Sequence, residues 1–180
     1  MTAPTVFSHP DREKLRFRPF KALQHFRKLI ANKEDTEQVF HIFEALPRKG
    51  VIDDARRFCE SDTGRRLMRS ESWLPSVLDD HDALKALPAG SVGRAYVDFM
   101  ESEGLTAAGL VEESDKMARG RRRFDDQLQW YFNRQRDTHD MLHVLTGYGR
   151  DALGEQCVLA FTYGQNKSFG NIFIAYAGGF

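Results

Sequence analysis

Apolar residues recur along this chain at steps of three and four, the spacing of one helix face, and almost nowhere in the strict alternation of a half-buried strand. Phe20, Leu23, Phe26 and Ile30 form one such stripe. Val39, Ile42, Phe43 and Leu46 form the next, behind Glu34, Asp35 and Glu37, acids that suit the positive end of a helix. Pro47 and Gly50 close that segment. Asp53 opens a further helix holding Phe58 and Cys59, and Ser61-Asp62-Thr63 restarts the chain toward Leu67 and Met68. Pro75, Pro88 and Gly90 break the middle into short pieces. Ser91 is placed to cap a helix from Val92 to Glu103, with Val92, Ala95, Tyr96 and Phe99 on its apolar face. Helix-rich sequence then runs from Arg123 to Gly147, interrupted near Asp137 or Thr138. Two last helices are predicted over Asp151–Tyr163 and Ser168–Ala177. No internal repeat or low-complexity linker interrupts the pattern. It predicts an all-α fold, a single multi-helix domain over residues 1–180.

Composition narrows the class. With 180 residues, 41% hydrophobic and 29% charged, the chain can bury a core and is not a disordered tail. Its 26 basic and 26 acidic side chains cancel, which removes the bulk attraction a general nucleic-acid binder shows. The longest nearly apolar run, Ile172 to Phe180, falls far short of the roughly 20 residues a membrane-spanning helix needs. Cys59 and Cys157 form no CxxC pair or disulfide framework, so a reduced, cytosolic chain is expected. Residues Met1 to Pro10 lack a basic-then-apolar signal, which argues against secretion.

Zero net charge conceals segregation. Residues 1–33 carry Arg12, Lys14, Arg16, Arg18, Lys21, Arg27, Lys28 and Lys33 against Asp11 and Glu13. Residues 34–47 and 101–115 are acidic without a base, and Lys116, Arg119, Arg121, Arg122 and Arg123 follow. The basic block, with Phe17, Phe20 and Phe26 among its cations, supports two readings. It is either a set of helix faces that salt-bridge to the acidic blocks, or an edge that touches an anionic membrane surface.

The chemistry concentrates in His139-Asp140-Met141-Leu142-His143, with Glu155 twelve positions on. Each helical residue turns about 100°, so with His139 at zero His143 falls near about 40° and Asp140 near about 100°. Met141, Leu142 and Leu145 take the opposite arc. Such a helix buries an apolar back while its front presents two imidazoles and a carboxylate. Histidines at i and i+4 clamp a transition metal. Gly147 and Gly149 allow a reversal that would make a helical hairpin and return Glu155 to the first helix. On its own helix Glu155 shares a face with Val158, Leu159 and Thr162, where a lone carboxylate costs several kcal/mol that a metal or histidine partner removes. Any two of these residues read as an ordinary surface hydrogen bond. All four, on either side of a glycine turn, read as a metal site. Without thiolate a closed zinc-finger site is disfavoured, and nitrogen and oxygen donors suit Zn, Mn or Fe. If one carboxylate only supports a ligand, open coordination positions remain, as catalysis requires. HDxxH fits the HExxH protease pattern poorly, because aspartate is one methylene short. His9, His25, His41 and His81 have no ligand spacing among themselves, and no GxGxxG, P-loop or GxSxG is present.

The run from Arg134 through His139, Asp140 and His143 to Gly147, followed by Gly154-Glu155, resembles the HDxxH-x11-E signature of the coenzyme Q (ubiquinone) biosynthesis protein 4 family. A second block, Leu87-Pro88-Ala89-Gly90-Ser91-Val92-Gly93-Arg94-Ala95-Tyr96-Val97-Asp98-Phe99-Met100, resembles that family's central segment. Both blocks lie within residues 87–165.

The resemblance implies an all-helical fold and a divalent metal held by His139, Asp140, His143 and Glu155, which would also be the catalytic residues; zinc comes first, with manganese or iron as alternatives. It implies work in ubiquinone synthesis, with the ring carboxyl of a polyprenylated hydroxybenzoate removed and oxygen installed at that carbon, or alternatively a non-catalytic, lipid-binding organiser of the biosynthetic complex. Expected partners are that prenyl lipid, other ubiquinone biosynthesis proteins, a membrane surface and a second copy in a homo-oligomer, with no nucleic acid. Arg134 and Arg136 read as structural ion pairs more readily than as contacts to a substrate carboxylate. HD-type phosphohydrolases share the His-Asp dyad, but His41 and His81, the upstream donors that class would need, have no supporting context. Eukaryotic family members carry a mitochondrial transit peptide and none is evident here, so the expectation is a bacterial protein, cytoplasmic and peripheral to the inner membrane. Family chains usually continue further, and the apolar stretch toward Phe180 suggests truncation or packing on a partner, a lipid or a prenyl tail.

Overall fold

A computed structural model describes residues 4–32, 35, 37–70, 73–120 and 122–177. Lys33, Glu34, Arg121 and Phe180, which enter the charge and end-of-chain readings, lie outside the described residues. Among those described, the chain forms twelve helices and no strand: α1 (Pro19–Ala31), α2 (Glu37–Ala45), α3 (Val51–Glu60), α4 (Asp62–Ser70), α5 (Leu74–Leu78), α6 (His81–Lys85), α7 (Val92–Glu103), α8 (Ala107–Met117), α9 (Gln127–Asp137), α10 (His139–Thr146), α11 (Ala152–Asn166) and α12 (Phe169–Ala177). The fold is all-α, as the periodicity predicts. The chain divides into two compact units, one built from residues 1–12, 50–112 and 120–145, the other from 13–49, 113–119 and 146–180.

In the first unit, local chemistry sets most helix ends. Ser91 caps α7, its hydroxyl accepting from the Arg94 N–H at 3.3 Å, and the helix spans the predicted residues. Gly90 takes a left-handed φ of 82° in the turn before it. A Cβ at Gly93 would strike the side chains of Leu87 and Leu84, so this segment closes tightly on itself. The face of α7 is rotated from expectation. Tyr96, Val97 and Met100 are buried with Leu74, Leu78 and Ala107, while Val92 is exposed. Pro75 lies in the first turn of α5, where a residue without an N–H fits, and α5 and α6 are the short pieces expected of this stretch. Helix α8 has no stripe to announce it. The Asp79 carboxylate, distant in sequence, accepts from the N–H groups of Ala107 and Ala108 at 2.7 and 2.9 Å.

Two further anchors complete this unit. Cys59, Met68 and Trp130 form a second buried cluster, and burial pushes the Cys59 thiol up to about 11, which suits a packing role rather than a nucleophile. Asp126 is 2% exposed and ties the N-terminal segment to the start of α9. It accepts from Arg12 at 2.7 and 3.0 Å, from the His9 N–H at 2.8 Å and, as the α9 cap, from the Gln129 N–H at 2.8 Å. Burial opposes ionisation there, but the Arg12 guanidinium and the two backbone donors outweigh it and hold the carboxyl below its usual range. Asp126→Ala would leave Arg12 uncompensated and is expected to cost about 3 kcal/mol in denaturant unfolding. Since the unfolded carboxyl titrates near about 3.9, the wild-type contribution is complete above that pH and drains away as acidification passes the lower folded value. The Ala variant should lack that acid limb.

In the second unit, α1 packs on α2, α11 on α12, and α12 also on α2. Ala22, Ile42, Ala45, Leu46, Leu159 and Ile174 form its core, with Phe26 and Phe173 meeting edge-on at 5.2 Å. Gly170 lets α12 approach α2, since a Cβ there would strike the Phe43 ring. The α1 stripe is not one buried face. Phe26 packs inward, whereas Phe20, Leu23 and Ile30 stay exposed. No helix among the described residues is long and apolar enough to cross a membrane.

Candidate metal centre

The site begins where α9 stops. The Thr138 hydroxyl bonds back to the Arg134 carbonyl at 2.9 Å and Thr138 closes α9. Helix α10 starts at the next residue, so His139 and Asp140 occupy its first turn and His143 its last. One ligand atom each from His139, Asp140 and His143 lie within 4.8 Å of one another. The imidazoles meet edge-on, with centroids 5.1 Å apart.

Placement differs from the front-and-back expectation. His143 is fully buried, stacked on the Phe99 ring of α7 at 5.5 Å. Met141 and Val144 pack against the Tyr96–Met100 cluster, while Leu145, expected on the buried back, is exposed. A helix of eight residues in a wall of side chains buries whichever positions its neighbours cover. The ideal wheel cannot specify that.

Tyr96 is the residue that spacing alone missed. It is among the largest fully buried side chains, and its hydroxyl has no hydrogen-bond partner among the described residues. Burial first, then the carboxylates of Asp140, Asp79 and Asp137, raise its ionisation above the ordinary phenol range. The phenol therefore stays protonated, a donor in the field of Asp140. In the sequence it reads only as one member of an apolar face. Arg136 pairs with Asp137 at 2.6 Å, the structural ion pair expected of it. Burial raises the Asp137 carboxyl, with Arg136 opposing. Arg134 lies over the Trp130 ring at 5.6 Å. His81 bonds Glu101 at 3.2 Å, and His41 bonds Glu37 at 3.4 Å while stacking on His25 at 4.3 Å; neither joins the α10 group. Glu155 belongs to the second unit, half-buried in the first turn of α11, ahead of buried Val158 and Leu159.

Residues 30–168 match the family model described as coenzyme Q (ubiquinone) biosynthesis protein Coq4. The chain belongs to this family. Its similarity to individual Coq4 proteins is moderate. It is 34% identical over 130 residues to "Ubiquinone biosynthesis protein COQ4, mitochondrial" of Yarrowia lipolytica, covering 72% of this chain and 44% of that one. Over 103 residues it is 33% identical to COQ4 homolog 2 of Culex quinquefasciatus (57% and 43% covered) and to COQ4 of Pyricularia oryzae (57% and 32%). The chain thus spans less than half the length of these relatives. No solved structure matches it.

These relatives overturn one expectation. All three are named as mitochondrial, against the bacterial, cytoplasmic placement read from the N-terminus. A targeting segment is a processed extension outside the fold, so it leaves no trace in the packing pattern of the domain. For this Coq4 chain the donor set itself fits a divalent metal. Two imidazole nitrogens and a carboxylate oxygen converge beside an apolar wall, without thiolate, a set that suits Zn, Mn or Fe.

Proposed function

We propose that this Coq4 chain holds one divalent ion through His139, Asp140, His143 and Glu155, zinc first with manganese or iron as alternatives, and acts in metal-dependent decarboxylation of a polyprenylated hydroxybenzoate ring. The work is done at a membrane face, beside other ubiquinone biosynthesis proteins, and in the mitochondrial compartment of the named relatives. Residues 1–180 serve as one domain in this reading. The observation that carries it is the convergence of three donor atoms within 4.8 Å on α10. Glu155 completes the set as a second carboxylate.

When bound, a divalent ion supplies Lewis acidity toward a phenolate or carboxylate oxygen. The chain's own residues do the rest. His139 and His143 would hold the ion through ring nitrogens, and Asp140 and Glu155 through carboxylate oxygens that offset its charge. Tyr96 donates its hydrogen bond to the polar head of the substrate. Phe99, Met141 and Val144 keep water from the reacting ring, and each prenyl CH₂ buried on such faces adds about 0.8 kcal/mol. In the step itself the bond between ring and carboxyl carbon breaks, CO₂ leaves, and the electron pair left on the ring takes up a proton. The oxidative course replaces that proton with oxygen from an external two-electron oxidant, since zinc has no redox chemistry.

The test is metal analysis of wild type and Glu155→Ala, followed by CO₂ release from a prenylated hydroxybenzoate. Wild type is expected to carry about one equivalent of metal and to release CO₂. The variant should retain under about a tenth of the metal affinity and lose turnover. Metal retained by Glu155→Ala removes Glu155 from the site. A metal-loaded wild type that releases no CO₂ supports the lipid-binding organiser instead.

A further inference from the structure

From the exposed chemistry of the second unit, we propose that residues 14–30, with Phe169, form a docking surface for an anionic lipid bilayer. This names the surface behind the membrane-face reading above and rests on that reading alone, not on the metal. Residues 13–18 enter the unit as non-helical chain, pinned where the Arg18 N–H donates to the Ala45 carbonyl at 2.7 Å. Every side chain from Glu13 to Phe20 is exposed. Bases and apolar groups are interleaved there: Lys14, Arg16 and Arg18 with Leu15, Phe17 and Phe20. Phe20 is 87% exposed and Phe17 60%. The Phe17 ring meets that of Phe169, itself 53% exposed, edge-on at 6.2 Å. The outer face of α1 continues the surface with Leu23, Arg27, Lys28 and Ile30, all exposed.

Two features choose the occupant. First, Lys14, Arg16, Arg18, Arg27 and Lys28 have no ion pair among the described residues, whereas Lys21 in the same block pairs with Glu44 at 3.4 Å. The alternative reading, a face of mutual salt bridges, would have paired them. Uncompensated cations beside protruding apolar groups complement anionic headgroups over hydrocarbon. Second, Leu15, Leu23 and Ile30 are aliphatic. They cannot stack on bases, so only the three Phe rings here offer what single-stranded nucleic acid uses, whereas all six apolar groups suit hydrocarbon. A second copy would bring like charge against like charge.

The test is flotation of the full chain with vesicles of phosphatidylcholine alone or mixed with phosphatidylserine. We expect binding to the mixed vesicles that falls as salt rises. Arg16→Ser with Arg18→Ser should weaken it about twenty-five-fold, from about fivefold per cation near the surface. Phe17→Ser with Phe20→Ser should weaken it about tenfold or more. All four side chains are exposed, so the variants should keep the wild-type far-UV circular dichroism. If both double variants float as wild type does, this surface is wrong while the membrane reading stands. If wild type floats with neither vesicle, both fall. Dimerisation or oligonucleotide binding lost on Phe17→Ser with Phe20→Ser, without flotation, assigns the surface to another partner and overturns the proposal.

Discussion

His143→Ala is expected to release the metal and end turnover, with affinity falling by at least about a hundredfold. Changes in groups that merely support a ligand already cost 10- to about 100-fold, and here a nitrogen donor itself is removed. The same change should lower stability by about 2–4 kcal/mol, because the imidazole is fully buried against Phe99 and its loss leaves a cavity. His139→Ala separates the two effects. His139 is only half-buried, so metal should be lost with a stability cost under about 1 kcal/mol. Inductively coupled plasma mass spectrometry of the purified variants, with thermal melts, reads both quantities. Full metal content in His143→Ala would sink the proposed centre.

Gly154→Ala should be as damaging from the other side of the loop. Gly154 is buried, and a Cβ there would be driven into the Gly149 backbone, which has no soft side chain to yield. The loop would have to move off α11. That would also loosen the α11 cap, in which Asp151 accepts from the N–H groups of Leu153 and Gly154 at 3.0 and 3.1 Å. A loss of about 3 kcal/mol is expected, together with reduced metal affinity if Glu155, the next residue, is a ligand. Gly164, in the same helix, is the internal control. Nothing lies within 4 Å of the point a Cβ would take there, so Gly164→Ala should be neutral or gain up to about 1 kcal/mol. A Gly154→Ala variant as stable as Gly164→Ala would argue that helix propensity, not the close approach, decides the result.

Local chemistry was the legible part of this chain. A serine before an apolar stripe marked the start of α7, and a threonine after Asp137 marked the break before α10. The His-Asp-His cluster followed from the helical repeat and recurs as three converging donors. What periodicity could not convey was which stripe meets a neighbour. Phe20, Leu23 and Ile30 share the spacing of core residues and face outward, while His143, expected at an open front, is sealed inside. Helix α8 depends on a cap from Asp79, too far along the chain for any window to see. Tyr96 looked like packing, because a phenol on an apolar stripe carries no mark of whether its hydroxyl is satisfied.

The break at Thr138 does more than divide one rod into two. In an unbroken helix from Gln127 to Thr146, His139 and Asp140 would sit mid-span, their backbone amides committed to carbonyls four residues back. Instead they fall in the first turn of a new helix, at the positive end of its dipole. Negative charge in that first turn gains about 0.3–1 kcal/mol. Asp140 stands in that turn, so one short helix sets a carboxylate and two imidazoles within reach of one another from its first residues onward.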